Sequence, residues 1–218
     1  MRARKKKHGA ERIAACAHLL IEDPTVLKED PRTPFADKEK ALHLEIGCGK
    51  GNFACGMAAK YPDVNFIAME CVADVACTAL EKADACKESR PDNLRFLIGN
   101  AENLTEWFPA HSVDCLYLNF SDPWPKARHA KRRLTYRAFL EKYKTVLKKD
   151  GILRFKTDNV GLFDFSLEEF EAMGLPMTDL TRDLHNSPQN EGNVMTEYEK
   201  AWSEKGYPIH AVTVHFKE

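Results

Sequence analysis

A carboxylate flanked by prolines and followed by positive charge is the part of this sequence best suited to chemistry. Asp122 ends an apolar stretch and precedes Pro123-Trp124-Pro125. The two prolines fix φ and remove two backbone donors, so a strand must end here and a rigid loop must follow. Residues 126–133, the basic ribbon, then carry six basic side chains: Lys126, Arg128, His129, Lys131, Arg132 and Arg133. An acid, an aromatic ring and a basic ribbon at this spacing favour a site that binds a nucleic-acid base and its phosphates.

A glycine-rich turn is the second candidate site. Residues 45–51, EIGCGKG, lead from an apolar stretch directly into a helical pattern that begins at Asn52. Alternating glycines let the backbone pass close beneath a ligand and point helix N-terminal amides at it. The dinucleotide fingerprint would need glycine where Asn52 stands, so a nicotinamide oxidoreductase is a poor match. This variant favours S-adenosylmethionine, whose ammonium group Glu45 could attract. We expect three glycines to line the site: Gly47, Gly49 and Gly51.

Polar residues also end the apolar stretches that follow. Glu70 ends the second, where an acid can accept both ribose hydroxyls of a nucleoside, and Asp122 ends the fourth. Asn100 follows the third and carries an amide suited to an adenine edge. Any one of these residues could be a simple helix cap or turn former. Together with Glu45 they favour one crevice along the carboxyl edge of a parallel sheet.

The elements that must position these residues alternate from residue 41 onward. The patterns predict strands at residues 42–46, 65–69, 94–98, 113–120 and 152–156, and helices at 52–60, 73–87, 136–147 and 194–205. Strands separated by helices indicate parallel pairing in a doubly wound α/β sheet. Residues 209–216 alternate apolar and polar side chains, which predicts a C-terminal edge strand. Residues 1–8 read as a mobile basic arm, followed by a helix and a proline-containing linker.

Composition and charge suit one soluble globular domain. The chain has 218 residues, of which 44% are hydrophobic and 30% are charged. Its net charge of -1 averages two opposite regions. Residues 122–149 contain ten Lys or Arg against two acids, whereas residues 158–204 contain two against eleven. Binding depends on the local field, so we expect a cationic face beside an anionic one.

Cysteine usage and the N-terminus bear on the compartment. The seven cysteines are odd in number and form no CxxC pair, which favours reduced thiols over disulfides or a zinc site, and we expect no metal. The basic start followed by residues 13–16, IAAC, imitates a signal peptide. Glu11 and Arg12 interrupt that apolar region, so we reject export. No stretch approaches a membrane span, and we expect a cytoplasmic protein without a membrane partner.

Five segments of the chain resemble the bacterial tRNA (guanine-N7-)-methyltransferases. They are LEIGCGKGNF (44–53), Met69-Glu70, NFSDPWPKARHAKRRLT (119–135), RFKTDN (154–159) and LHNSPQNEGNVMTEYE (184–199). SDPWPK with KRRLT, and the distant TEYE, are very specific to this family, whereas the glycine loop is not. The resemblance extends from the basic start to the last strand.

The resemblance implies a fold and a reaction. The fold would be a seven-stranded, mostly parallel Rossmann-like class I methyltransferase sheet with an antiparallel C-terminal edge strand. Residues 1–40 would form the arm, helix and linker, and residues 41–218 the methyltransferase domain. S-adenosyl-L-methionine would be the cofactor, S-adenosyl-L-homocysteine its product and tRNA the partner. The reaction would be methylation of N7 of a guanosine, expected in the variable loop. Monomer and homodimer both remain open.

The same resemblance implies roles for individual residues. The methyl donor would be contacted by Glu45, Glu70, Asn100 and Asp122, and Asp122 would also lie at the active centre. The substrate would be contacted by Lys126, Asp158, Thr196, Glu197, Tyr198 and Glu199. RNA would be contacted by Arg128, His129, Ala130, Lys131, Arg132 and Arg133.

The chemistry of guanine agrees with these roles. N7 is an acceptor with a free lone pair and no proton, so no base is needed to expose it. The site must supply alignment with the methyl group, and negative potential as the purine becomes cationic. We expect Asp122 to supply that potential or to accept the guanine N–H edge, and Asp158 to hold the base. Trp124 either stacks on the base or supports the loop.

Three alternatives remain at this point. Thr196 and Glu199 lie three apart and could simply form a capping box at the start of the last helix. The sequence Asp122-Pro123-Trp124 also resembles loops that methylate exocyclic amines, although the basic ribbon and TEYE argue against this. A non-catalytic RNA-binding protein with a Rossmann-like fold would bind tRNA but not S-adenosylmethionine.

Overall fold

The computed structural model describes residues 5–86 and 92–216. Arg2 and Arg4 of the predicted arm, and the end of the helix predicted to reach residue 87, lie outside these ranges. Within them the strands are β1 (Ala41–Ile46), β2 (Val64–Glu70), β3 (Leu94–Ile98), β4 (Val113–Asn119), β5 (Leu147–Thr157), β6 (Met177–Thr181) and β7 (His210–His215). The α-helices are α1 (Gly9–Ala14), α2 (Asn52–Lys60), α3 (Ala73–Ala85), α4 (Leu104–Trp107), α5 (Arg137–Val146), α6 (Val160–Ala172) and α7 (Glu197–Ser203).

The seven strands form one sheet in the order β3-β2-β1-β4-β5-β7-β6. Strands β1 to β5 pair in parallel, and β7 pairs antiparallel with both β5 and β6. The prediction of a doubly wound, mostly parallel, seven-stranded α/β sheet is confirmed. The C-terminal strand is antiparallel as expected, but its predicted place at the edge is wrong because β6 covers its outer side. Short and largely exposed, β6 carries too few apolar residues to give a strand pattern.

Both faces of the sheet are covered, as double winding requires. Strand β4 shows this most clearly, because its successive side chains point to opposite faces. Leu116 and Leu118 join the apolar cluster that contains α5 and α6. Cys115 and Tyr117 join the cluster that contains α2 and α3. Helix α6, which the sequence patterns did not predict, begins where the Asn159 Oδ1 accepts a hydrogen bond from the Leu162 amide at 2.8 Å.

The N-terminal segment lies against α3 and the β3 edge. The Lys6 amide donates to Asp74 Oδ1 at 2.9 Å, so this part of the predicted mobile arm is held in place. Arg12 donates to both carboxylate oxygens of Glu81, at 2.6 and 2.7 Å. The Ile21 amide donates to the Phe96 carbonyl at 2.8 Å. Across residues 5–86 and 92–216, no helix is long and apolar enough to cross a membrane.

Candidate cofactor and substrate site

The three glycines of the loop between β1 and α2 have two different structural roles. All three have positive φ: 79° at Gly47, 58° at Gly49 and 80° at Gly51. A Cβ added to Gly47 or Gly49 would meet nothing within 4 Å, because both face open space. A Cβ on Gly51 would lie 2.8 Å from the Ala79 Cβ on α3. Gly47 and Gly49 are therefore placed to cradle a ligand, and Gly51 also lets the loop pack against the next helix.

The carboxylate of Glu45 is buried, and only one of its two oxygens has a hydrogen-bond partner among the described residues. Its Oε1 accepts a hydrogen bond from Asn119 Nδ2 at 2.8 Å, while its buried Oε2 has no hydrogen-bond partner among the described residues. Burial raises the pKa of Glu45 to about 7, although the Asn119 hydrogen bond and the charge of Lys156 oppose this rise. A buried oxygen without a donor favours a cationic ligand in the cleft. This orphaned oxygen and the empty cradle of the glycine loop fit S-adenosylmethionine.

Glu70 and Asn100 both help to shape the neighbouring turns. Glu70 Oε2 accepts the Gly49 amide at 3.0 Å and Oε1 accepts the Val72 amide at 2.9 Å. Each carboxylate oxygen has further lone-pair capacity, so Glu70 can still accept from a ribose. Asn100 Oδ1 accepts the Glu102 amide at 3.0 Å, which is the capping role weighed above. Its NH₂ group makes no hydrogen bond within the described part of the chain.

A cleft of about 380 Å³ opens at this edge of the sheet. The glycine loop and Glu45 form one side, and Phe120 with Thr196, Glu197 and Tyr198 form the other. The structure thus brings the first strand end and the TEYE segment together, although they are far apart in sequence. Three of the predicted cofactor-binding residues are not part of this lining: Glu70, Asn100 and Asp122.

The loop that carries Asp122 is braced from within. Two of its non-glycine residues have left-handed backbones, Phe120 with φ of 54° and Trp124 with φ of 41°. Such conformations cost about 1–3 kcal/mol each and persist where surrounding contacts enforce them. Arg133 provides such contacts at Trp124: it donates to the Pro123 and Trp124 carbonyls at 3.0 and 3.1 Å, and its guanidinium carbon lies 4.2 Å from the Phe165 ring centroid. Asp122 is exposed at the tip.

The basic ribbon is mostly open to solvent. Lys126, Arg128, Lys131 and Arg132 are exposed, and none of them forms an ion pair with a described residue. His129 and Ala130 are half-buried. Arg132 lies 4.9 Å from the Trp124 ring centroid, and the His129 ring meets Trp124 edge-on at 5.7 Å. Trp124 therefore packs against the ribbon itself, which favours its supporting role over stacking on a base.

The TEYE segment opens α7 with a complete capping box. The Glu199 amide donates to Thr196 Oγ1 at 2.9 Å, and the Thr196 amide donates to Glu199 Oε2 at 3.3 Å, so the capping interpretation is confirmed. Glu199 is 0% exposed and also accepts from Lys156 and His185. Burial would raise the pKa of Glu199, but these donors and the charge of Lys156 lower it. A carboxylate enclosed in this way is not placed to contact a substrate. This differs from the substrate contact that the family resemblance implies for Glu199.

The other TEYE side chains reach across the cleft. Glu197 forms ion pairs with Lys82 on α3 and, at 3.4 Å, with Lys50 in the glycine loop. Burial raises the pKa of Glu197, but the two lysines outweigh it and hold the pKa below its usual value. The Tyr198 hydroxyl donates to Asp158 Oδ2 at 3.1 Å, and the ring lies 5.1 Å from that of Phe120. The predicted substrate residues Asp158 and Tyr198 are thus in direct contact.

Sequence patterns gave no role to Asn119 or Lys156 and a different role to Arg133, although these residues join the parts of the site. Asn119 holds Glu45, Lys156 holds Glu199, and Arg133 acts as a brace. Alternation along the strand provided a signal for Lys156, because it lies two residues before Asp158 and points to the same face of the sheet. No local pattern distinguishes Arg133 from Arg132.

The fold and this site define a class I S-adenosylmethionine-dependent methyltransferase. Residues 39–212 match the family described as "Putative methyltransferase". A solved 16S rRNA methyltransferase, KamB, superposes with a TM-score of 0.63 at 15% identity, covering 87% of this chain and 92% of that chain. A structure described as an antibiotic-related methyltransferase gives a TM-score of 0.59 at 15% identity, over 98% and 95% of the two chains. At this identity both show likeness of fold only.

Curated relatives define the family more narrowly. Proteins named tRNA (guanine-N(7)-)-methyltransferase from Limosilactobacillus reuteri (strain DSM 20016) and Bacillus subtilis (strain 168) are 48% and 44% identical to this chain. One from Latilactobacillus sakei subsp. sakei is 43% identical. Each alignment covers 100% of both chains. The chain therefore belongs to the bacterial tRNA (guanine-N7-)-methyltransferase family.

Proposed function

We propose that this protein transfers the methyl group of S-adenosylmethionine to N7 of a guanosine in the variable loop of tRNA. The products are 7-methylguanosine and S-adenosylhomocysteine. The observation that carries the proposal is the position of Asp122 in a member of this family. It is an exposed carboxylate at the carboxyl edge of the sheet, on a loop that continues into the basic ribbon. The cofactor cleft adjoins Phe120 at the start of that loop.

Residues at the strand ends would hold the cofactor in this proposal. Glu45 Oε2 attracts its positive charge, Gly47 and Gly49 pass beneath it, and Gly51 sets the turn that makes this possible. Glu70 accepts from the ribose hydroxyls, and the Asn100 amide contacts the adenine edge. When bound, S-adenosylmethionine supplies a methyl group on a sulfonium, which is an electrophile.

The protein's part in the reaction is alignment and electrostatics. The guanine N7 lone pair forms the new N–C bond as the methyl–sulfur bond breaks, and no proton leaves N7 because none is attached. Positive charge moves from sulfur to the purine ring. The Asp122 carboxylate, two residues beyond Phe120 in the cleft wall, would stabilise that charge or accept from the guanine N–H edge. Asp158, with Tyr198 bonded to it, holds the base in line with the methyl group.

The tRNA backbone is held by the exposed part of the basic ribbon. Lys126, Arg128, Lys131 and Arg132 contact phosphates, with His129 and Ala130 forming the adjoining surface. Such contacts fix the orientation of the RNA without reading its sequence, and they weaken as salt rises. Thr196 and Glu197 contact the substrate from the opposite side of the cleft. Arg133 and Glu199 act indirectly, by bracing the loop and the TEYE segment.

The direct test is product identification. Purified protein is incubated with labelled S-adenosylmethionine and an unmodified tRNA transcript, and the digested nucleosides are identified. We expect 7-methylguanosine, and no label in a transcript whose variable-loop guanosine is replaced by 7-deazaguanosine, which lacks the acceptor nitrogen. An N-methylated exocyclic amine would instead support the rival methyltransferase. Calorimetry that finds tRNA binding without affinity for S-adenosylmethionine would support the non-catalytic reading.

A further inference from the structure

All three N–H donors of the Lys156 side chain form hydrogen bonds with one segment of the chain. Lys156 lies on β5 and is 6% exposed. Its Nζ donates to Glu199 Oε2 at 2.6 Å, to the Val194 carbonyl at 2.9 Å and to Asn193 Oδ1 at 3.0 Å. A lysine ammonium has three donors, so none remains for a ligand. All three acceptors belong to residues 193–199, here called the clamped segment, which includes Thr196, Glu197 and Tyr198.

The clamped segment needs such an anchor because it adjoins a cavity. About 350 Å³ of space separates the sheet from residues 189–194. Tyr117, Arg154 and Thr213 line the side formed by the sheet, and Gln189 and Gly192 line the opposite side. Asn193 and Val194, at the start of the clamped segment, line this cavity, so that part of the segment is only partly packed on the strands. Its position must therefore depend on a few specific contacts.

Glu199 accepts further hydrogen bonds that hold the clamped segment. Asn193 Nδ2 lies 2.8 Å from Glu199 Oε1, and His185 Nε2 lies 2.9 Å from the same oxygen. The Thr196 amide completes the set through the capping box. His185, for which the sequence suggested no role, thus holds Glu199 beside Lys156. A buried carboxylate is tolerated only when it is paired and hydrogen-bonded in this way.

Lys156 also borders the cofactor side of the site. Its Nζ lies 5.1 Å from the Phe53 ring centroid and 6.0 Å from that of Phe120. Phe53 and Phe120 both line the cofactor cleft. The charge of Lys156 also acts on Glu45, the buried carboxylate of that cleft. The Lys156 ammonium group thus lies close to residues that line the cofactor cleft and is also bonded to the clamped segment.

We propose that Lys156 is a positioning residue, which holds the clamped segment over the cofactor cleft in the orientation that accepts the tRNA base. His185 supports it by fixing Glu199. Neither side chain contacts the substrate or takes part in methyl transfer. The proposal deepens the function proposed above and rests on it. It predicts that loosening the clamp impairs use of tRNA much more than binding of the methyl donor.

The first test separates position from stability. Lys156→Met leaves Glu199 buried and unpaired, so this variant alone can fail to fold. Lys156→Met combined with Glu199→Gln removes both charges but keeps an amide that can serve the capping box. We expect the double variant to be folded, with kcat/KM for tRNA lowered on the order of 10- to 100-fold by misplacement of the segment. Its Kd for S-adenosylmethionine should stay within about twofold of wild type when measured at about pH 8.5, where Glu45 stays ionised even without the nearby charge of Lys156.

The second test moves the clamped segment without touching a charge. Val194 packs on α2 at Gly56, where an added Cβ would lie 2.7 Å from Val194 Cγ1. Gly56→Ala therefore pushes the segment away while favouring the helix, since alanine has the higher helix propensity. The matched control is Gly161→Ala in α6, where the nearest atom to a new Cβ is 3.6 Å away. We expect Gly56→Ala, and not Gly161→Ala, to lower kcat/KM for tRNA at unchanged S-adenosylmethionine affinity.

Two results would overturn the proposal. One is a folded double variant with wild-type kcat/KM for tRNA. The other is an equal loss of affinity for tRNA and S-adenosylmethionine, which would indicate a general structural role. Amide hydrogen exchange of residues 193–203 and direct tRNA binding are measured alongside, because neither depends on which nucleoside is made. If the wild-type product is not 7-methylguanosine, the proposed function fails, whereas faster exchange with selectively weakened tRNA binding still supports the clamp.

Discussion

The loop at residues 120–133 and the clamped segment at 193–199 border the same cleft but use their acids in opposite ways. In the loop, Asp122 is exposed and a basic residue, Arg133, is drawn inward to hold the backbone. In the clamped segment, Glu199 is buried and its partner Lys156 belongs to the sheet. Both segments carry motifs that are specific to the family. The difference teaches that an acid within such a motif can serve either chemistry or position, and that burial decides which.

Removing Asp122 should give the largest effect on methylation, because Asp122 is exposed whereas Glu199 is buried. Asp122→Ala is expected to lower kcat on the order of 100- to 1000-fold, the usual result of losing a group that stabilises transition-state charge. Affinity for S-adenosylmethionine, measured by calorimetry, should be largely unchanged. Asp122→Asn keeps the shape and removes the charge, so it should be similarly slow. Methylation by Asp122→Ala at close to the wild-type rate would show that the assigned role is wrong.

Within the loop, neighbouring arginines should behave differently. Arg132→Gln removes an exposed charge, so it should weaken tRNA binding and reduce the slope of log K against log salt by about 1, with kcat preserved. Arg133→Gln removes the hydrogen bonds to the Pro123 and Trp124 carbonyls, so it should lower kcat more than it changes the salt slope. Binding titrations at several salt concentrations, with single-turnover rates, measure both. An unchanged slope for Arg132→Gln would argue against phosphate contact.

Glu45, which lines the cleft shared by the two segments, should make the affinity for S-adenosylmethionine depend on pH. Its pKa in the free protein is raised to about 7 by burial, so it is mostly protonated below that pH. A cationic ligand favours the ionised form, so affinity for S-adenosylmethionine should fall as pH drops through about 7, by at most about tenfold per pH unit. Glu45→Gln should bind more weakly and show little pH dependence between pH 6 and 8 by calorimetry. A wild-type profile as flat as that of Glu45→Gln would contradict this assignment.

The smallest effect should come from the cap of α7. Thr196→Ala removes the oxygen that accepts the Glu199 amide, which typically costs about 0.5–2 kcal/mol. In a domain of this size, 1 kcal/mol corresponds to a fall in Tm of about 2–4 °C. Thr196→Ser keeps the hydroxyl and should retain stability close to wild type in the same thermal melt. A larger loss of tRNA turnover than of stability in Thr196→Ala would indicate that Thr196 also contacts the substrate.

Much of the fold could be predicted from sequence because strong local patterns carry it. The buried strands β1, β2 and β4 are rich in apolar residues, and glycines or prolines mark where β1 and β4 end. Strand β6 gave no such signal, because an edge strand needs few apolar side chains. For that reason the C-terminal strand was placed at the edge. Helix α6 was missed although Asn159 caps it, because an Asn before apolar residues is equally common in turns.

The candidate site was predictable at the strand ends and less so between them. Glu45, Glu70, Asn100 and Asp122 follow apolar runs, so their common edge could be inferred from parallel pairing alone. The contacts of Glu199 with Lys156 and His185 join residues 43 and 14 positions apart in the chain. Local sequence does not encode such contacts, since they depend on how the segment crosses the sheet. The resemblance to a family identified TEYE as important without distinguishing its buried acid from its exposed residues.

By itself, the sequence determined the five parallel strands and most of the helices between them, the glycine cradle and the proline-bounded acid. These features follow from local backbone restrictions and from the periodicity of apolar residues, which act within a few residues. Only the tertiary structure decided which charges are buried and which remain free. Burial of a charge depends on every segment that packs around it, and an unpaired buried charge is too costly to persist. Lys156 and Arg133 therefore become anchors, while Asp122 and Arg132 stay exposed to solvent.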